Sequence, residues 1–307
     1  MDPHYLGIEI GGTKLQFVLG NSSAAVVQRW RFPVDRHRGG AGIREQIASA
    51  LPGILAKTET RGIGVGFGGP VDWKTGQICC SHQIEGWTDF QLGTWLQSLA
   101  SLPVRVDNDA NVAALGEALH GAGRGLNPVF YVTLGSGVGG GFVSDGRIYH
   151  GAKPGESEIG HVRLDRSGTI VEGRCSGWAV DARIRESIRK APAGVLAQLA
   201  GKAGGSEARF LAAALAQGDT LAQCILRELA EDLAFGLSHV VHLFHPEIIA
   251  IGGGLSSVGE PLRAAVAESL AVFVMEAFQP GPKLALAALG EDAVPVGALA
   301  LARLISP

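Results

Sequence analysis

The 307-residue chain is 46% hydrophobic and 18% charged, a globular composition with material for one large or two ordinary domains. A formal net charge of −3, with no basic block or stripe, argues against a nucleic-acid partner and an anionic membrane surface. No apolar run nears the ~20 residues that span a bilayer. Met1-Asp2-Pro3-His4 has no signal-peptide character, and four cysteines without framework spacing point to a reducing cytoplasm.

In chain order, Leu6–Ile10, Leu15–Leu19 and Val26–Phe32 read as strands. A helix follows at 41–56, its Ile43, Ile47, Leu51 and Leu55 forming a four-residue stripe. Gly62–Phe67 is a buried strand, Ile78–Cys80 a short one and Phe90–Leu99 helical. Val104–Val106 is a strand that runs into a helix ending near His120. This order suits a ribonuclease-H-like mixed sheet. After a glycine-rich connection at 121–127 the pattern begins again: strand Val129–Leu134, a turn at Gly135–Gly141, strand Gly141–Val143. An irregular stretch to 175 and a helical one to 243 follow. Strand Glu247–Ile251, a helix at 260–277, a strand at 283–288 and a helix at 295–304 close the chain. Two halves that each open on a strand–glycine–strand hairpin imply an internal duplication with a cleft between domains.

Gly11-Gly12-Thr13-Lys14, Gly135–Gly141 and Gly252–Gly254 each follow a strand. Glycine permits both the tight turn and the close approach of backbone N–H groups to phosphate oxygens. Gly64–Gly69 and Gly135–Gly140 match G-x-G-x-x-G, but neither opens a helix, so a dinucleotide fold is excluded by context. No Walker-type P-loop occurs. VDNDANVAALGE, at a strand-to-helix junction, holds more Asp and Asn than one helix cap needs. Asp109 is there a candidate general base and Asn108 a candidate partner for a substrate hydroxyl.

Taken together, IEIGGTK, GFGGPVD, VDNDANVAALGE, TLGSGVGGG, GESEIGHV and IIAIGGGLS resemble, in order and spacing, the motifs of the ROK family of sugar kinases, within the actin and hexokinase superfamily. The resemblance implies two ribonuclease-H-like (actin-like ATPase) α/β domains with mixed sheets around a nucleotide and sugar cleft. It divides the chain into 1–120, with the last helix (about 293–307) packing back on it, and 121–292. It implies that Asp109 takes a proton from a hexose primary hydroxyl, and that Gly69, Asn108, Asp109, Glu158, His161 and Glu172 bind the sugar. ATP is assigned to Gly11, Gly12, Thr13, Lys14, Thr133, Gly135, Ser136, Gly137, Gly253 and Gly254, and Mg²⁺ to Glu9. Glucose is the first expectation, then N-acetylglucosamine, N-acetylmannosamine or fructose; ATP is the expected donor, with polyphosphate left open. A homodimer in the cytoplasm is implied. Non-catalytic sugar sensors are the second class; those carry an N-terminal DNA-binding segment, whereas the first phosphate strand here begins at residue 5.

The chain departs from the family pattern in places. Arg163, Asp165 and Ile170 align with three zinc-ligating cysteines, leaving His161 and Cys175 as at most two of four ligands, so no zinc is expected. Cys175 reads as a small buried residue, with the loop packed through Ile170 and Trp178. Glu9 stands for aspartate, Gly68 for proline and Gln83 for asparagine.

Overall fold

The computed structural model describes residues 3–305 except 82, 83, 156 and 202. In chain order the elements are β1 (His4–Ile10), β2 (Lys14–Gly20), β3 (Val26–Pro33), α1 (Gly39–Leu55), β4 (Thr60–Phe67), β5 (Val71–Asp72), β6 (Gln77–Ile78), β7 (Phe90–Gln91), α2 (Leu92–Ala100), β8 (Val104–Asn108) and α3 (Asp109–His120). They continue with β9 (Val129–Leu134), β10 (Val138–Ser144), β11 (Arg147–Ile148), α4 (Val171–Cys175), α5 (Gly177–Lys190), α6 (Val195–Ala200) and α7 (Leu211–Ala216). The chain ends with α8 (Thr220–Phe244), β12 (Ile248–Gly252), α9 (Glu260–Phe273), β13 (Lys283–Leu286) and α10 (Ala293–Arg303).

Two compact units result. One contains Met1–Gly125, Gly141–Ser157 and Ala288–Pro307; the other contains Leu126–Gly140 and Glu158–Ala287. Beside the 1–120 and 121–292 division, this places Gly141–Ser157 with the first unit. The first large sheet has the order β3-β2-β1-β4-β8, with β1 antiparallel to β2 and parallel to β4. The second repeats it as β11-β10-β9-β12-β13, with β9 parallel to β12 and β12 parallel to β13. The same mixed order twice is the ribonuclease-H-like duplication. The glycine run after β9 is shorter as a turn than its composition implies: Gly139, Gly140 and Gly141 lie inside β10, and only Gly135–Gly137 turn. Ile78 ends its strand two residues before the expected Cys80.

In the first unit, alternation along β1 sorts its side chains to two faces. Leu6, Ile8 and Ile10 join Ile43, Ile47, Leu51 and Ile54 of α1 in one core cluster, while Tyr5 joins Val296 and Leu299 of α10 in another. The α10 face is built from small residues because backbones meet there. A Cβ on Gly64 of β4 would overlap the Ala298 carbonyl, and one on Gly297 would overlap the Val112 carbonyl of α3. At the far end of α3 the fully buried Glu117 accepts the amides of Ala122 (2.7 Å), Ala288 (3.0 Å) and Leu289 (2.8 Å), tying the chain in place just before α10.

In the second unit, β12 is apolar throughout and β9 nearly so, as suits strands covered on both faces, and α8 turns Ile225, Leu229, Leu233, Leu237 and Val241 inward. Asp219 caps two helices with one carboxylate: Oδ1 accepts from Ala222 N of α8 (2.8 Å) and Oδ2 from Leu196 N of α6 (3.0 Å). Burial raises its pKa, but the amide hydrogen bonds outweigh burial and hold it below the ordinary value of 3.8. A depressed folded-state pKa gives stability that is present above 3.8 and lost as pH falls through the folded value. Asp219→Asn is therefore expected to cost about 1–2 kcal/mol at neutral pH. Urea melts should show that gap to the parent closing as pH drops below 3.8.

Candidate active site

The β1–β2 hairpin carries the first glycine turn. Gly11 N donates to Lys14 O (3.0 Å), Arg36 Nε to Gly12 O (2.9 Å) and Val34 N to Thr13 O (3.2 Å). The turn's carbonyls are thus held from outside, while the amides of Gly12 and Thr13 meet no acceptor among the described residues. Backbone donors in this state are what an anionic phosphate chain requires.

Glu9 precedes this turn and starts a polar row across three strands. The register sets Glu9 opposite Gln16 and Gln16 opposite Arg31. Gln16 is fully buried; its Nε2 donates to Glu9 Oε2, and its Oε1 accepts from Arg31 Nε (3.2 Å) and Arg29 Nη1 (3.3 Å). Lys14 Nζ lies 3.4 Å from the other Glu9 oxygen. The extra methylene of glutamate thus reaches a cross-strand amide. Mg²⁺ typically takes one or two carboxylates with waters and phosphates, so Glu9 suits it by donor type.

The β8–α3 junction carries the acidic motif. Asn108, not Asp109, is the helix cap: its Oδ1 accepts from Ala110 N (2.8 Å) and Asn111 N (3.3 Å), and its Nδ2 donates to Gly69 O (3.2 Å). Asp109 occupies the first helical position, where the helix dipole favours a carboxylate. The GFGG turn sits beside it. A Cβ on Gly68 would lie 3.5 Å from Asp109 Oδ2, and Gly68 N donates to Ile10 O (3.0 Å), a bond that the family's proline could not make.

Three residues behind this junction were not among the sequence candidates. Asp107 is buried; its Oδ1 accepts from Asn108 N (2.9 Å) and Asn111 Nδ2 (3.0 Å), and its Oδ2 lies 2.6 Å from His150 Nε2. Asn111 Nδ2 also donates to Gly155 O (2.9 Å), at the start of the GESEIGHV stretch. The sequence signal was present for Asn111, inside an acidic motif, but absent for His150.

In the second unit, Thr133 is the penultimate residue of β9 and Gly135-Ser136-Gly137 make the turn; the amides of Ser136 and Gly137 meet no acceptor among the described residues. Glu172, in the first turn of α4, accepts Val138 N at 2.9 Å and so lies against this turn. Glu158 and His161 flank a single 3₁₀ turn and are exposed. Gly253 has φ 80°, and a Cβ there would meet Leu134 N at 2.5 Å, so that turn needs glycine; Gly254 faces open space. Glu156 and Gln83 lie outside the described residues.

The loop aligned with the zinc cysteines is closed differently. Arg163 and Ile170 form an antiparallel bridge, and Asp165 Oδ1 accepts from Ser167 Oγ (2.6 Å), Gly168 N (2.9 Å) and Thr169 N (3.2 Å). Those bonds hold the Asp165 carboxyl well below the usual range. Cys175 is fully buried and its thiol is pushed up to about 12, first by burial and then by Asp232. A metal-ligating thiolate is the reverse of this. Among the described residues no three His, Cys, Asp or Glu side chains group to hold a metal. Trp178, expected to pack the loop, is instead 65% exposed.

The ROK family model matches residues 5–304. The chain belongs to the ROK family. A glucokinase of Halalkalibacterium halodurans is 33% identical over 96% of this chain and 94% of its own, and one of Thermotoga maritima is 29% identical over 96% of both. The structure of a ROK family glucokinase from Streptomyces griseus, in complex with glucose and AMPPNP, is 30% identical over 98% of this chain and 99% of its own, with TM-score 0.85. The duplicated topology is thus the actin-like ATPase fold of the ROK sugar kinases. No helix among the described residues is long and apolar enough to cross a membrane.

Proposed function

We propose that this chain is an ATP-dependent sugar kinase that phosphorylates a hexose at its primary hydroxyl, with glucose as the first substrate. The observation that carries the reading is the start of α3: Asn108 caps the helix, and the Asp109 carboxylate, at the first helical position, stands beside the Gly68-Gly69 turn. Asp109 takes the hydroxyl proton as the sugar oxygen bonds to the γ-phosphorus and the bond to the β-phosphate oxygen breaks, leaving ADP. Asn108 has a second amide hydrogen for a sugar hydroxyl, with Gly69 in the first unit and Glu158, His161 and Glu172 in the second as further sugar contacts.

The amides of Gly12 and Thr13 donate to phosphate oxygens in the first unit, with Gly11 closing the turn and Lys14 beside it. In the second unit the amides of Ser136 and Gly137 do so, with Thr133 and Gly135 shaping the turn that carries them and Gly253 and Gly254 toward the nucleoside. Mg²⁺, when bound, offsets the phosphate charge, and Glu9 is the carboxylate that would face it. Zinc is not part of this reading; the Asp165 turn and the Arg163–Ile170 bridge shape the loop. An ATP-dependent kinase works where ATP is made available, which puts this activity in the cytoplasm.

An ADP-release assay with glucose, N-acetylglucosamine, N-acetylmannosamine and fructose, using ATP or polyphosphate as donor, tests the reading. Glucose-dependent ADP formation is the expected result. If no sugar stimulates turnover while sugar binding is still measurable, the chain is a sensor and the kinase reading fails.

We also propose a homodimer. Leu243 (75% exposed) at the end of α8, Val272 (79%) at the end of α9 and Met275 (50%) two residues beyond it are exposed apolar side chains on or just after two packed helices. Exposed apolar side chains on neighbouring helices suit an interface, and a second copy is the occupant proposed for it. Light scattering should show a dimer for the parent and a monomer for Leu243→Glu with Val272→Glu.

A further inference from the structure

The first unit contains a cavity of about 310 Å³ whose wall includes Trp73, His150, Arg105, Arg147, Leu301 and Leu304. Arg105 comes from β8, Arg147 from β11 and the leucines from the end of α10. Neither arginine forms an ion pair or side-chain hydrogen bond with a described residue, and no carboxylate lines the wall. Trp73 and His150 stack with ring centroids 4.2 Å apart and planes 12° from parallel, and Lys74 Nζ lies 5.2 Å from the indole. The Trp73 indole N–H is buried without an acceptor among the described residues. His150 is held in place by Asp107, so the stacked wall is fixed before anything binds.

Two guanidinium groups without side-chain partners among the described residues match a phosphate, to which they donate parallel N–H···O bonds. An indole–imidazole stack and two leucines match a flat or apolar body attached to it. The volume is at the small end of the range for small-molecule sites, roughly 300–1,000 Å³. We propose that this cavity binds a small organic phosphate monoester, at a site separate from the residues assigned above to ATP and sugar. The assignment stands on the cavity alone and does not depend on the kinase reading.

Phenyl phosphate, titrated calorimetrically into the full chain without ATP or sugar, is the direct probe. Saturable one-to-one binding is expected. Arg105→Ala combined with Arg147→Ala should weaken it roughly tenfold or more. The Arg105→Lys, Arg147→Lys pair, which keeps the charge but not the fork, should fall between. Asp109→Asn should bind the probe as the parent does, and turnover of the double-alanine variant without probe should stay within about twofold, because surface changes away from the chemistry have small effects. Circular dichroism melts confirm that each variant is folded. Unchanged affinity in both arginine pairs, lost affinity in Asp109→Asn, or equal affinity for inorganic phosphate would each overturn the proposal.

Discussion

Asp109→Asn is expected to lower sugar-dependent ATP turnover about 10²–10⁴-fold, the range over which a positioned general base contributes. Asparagine has nearly the same shape, so the first position of α3 is kept, and the Asn108 cap does not involve the replaced group. What is lost is the capacity to accept a proton. The loss should therefore fall on kcat, with KM for the sugar changed little. Part of any kinase's acceleration comes from positioning and charge stabilisation rather than from the base, so residual activity above background is also expected. Steady-state kinetics on the purified variant, with its thermal melt as a folding control, decides the matter. Turnover within a few-fold of the parent would remove Asp109 from the role of base.

The second large effect lies at the other end of the same helix. Glu117→Met keeps the side chain's length but leaves the amides of Ala122, Ala288 and Leu289 without their acceptor in a buried setting. Each orphaned donor costs about 1–3 kcal/mol, so the expected loss is several kcal/mol, a large part of the ~5–15 kcal/mol that holds a typical domain together. Glu117→Gln, which retains one oxygen, should fall between the parent and Glu117→Met. Urea denaturation midpoints give the ranking. If Glu117→Met melts with the parent, solvent reaches those amides and the clamp has no energetic weight.

Local pattern was enough to read the elements that frame the candidate site. The β1–β2 and β9–β10 hairpins follow from apolar strands interrupted by glycine, and the β8–α3 junction from VDNDANVAALGE. What escaped is long-range. Nothing near Asp107 announces His150, because the two meet only when β11 and the segment after it return to α3. Gln16 looks like a polar interruption in KLQFVLG until the register sets it between Glu9 and Arg31. Glycine composition alone suggests turn at 139–140, where the structure has strand; at Gly141 a Cβ would overlap Ala114 and the Ala110 carbonyl of α3, so the strand passes there only as glycine. The missing zinc cysteines suggest a loop packed through Trp178, whereas it is closed by a backbone bridge and the Asp165 turn and leaves the indole exposed.

The position of α10 in the first unit also bears on how the protein is made. Its small side chains fill the face of a sheet whose last strand, β8, ends at Asn108. On the ribosome that sheet is complete long before its covering helix exists, since everything from Asp109 to Asp292 must be synthesised in between, on the order of 10–40 s at ordinary elongation rates. During that interval Tyr5 and Val18 have no partner on α10, and the glycine-lined face is open to chaperones and to aggregation. Nascent chains stalled before Ala293 should accordingly be more sensitive to protease in their first 125 residues than released chains are.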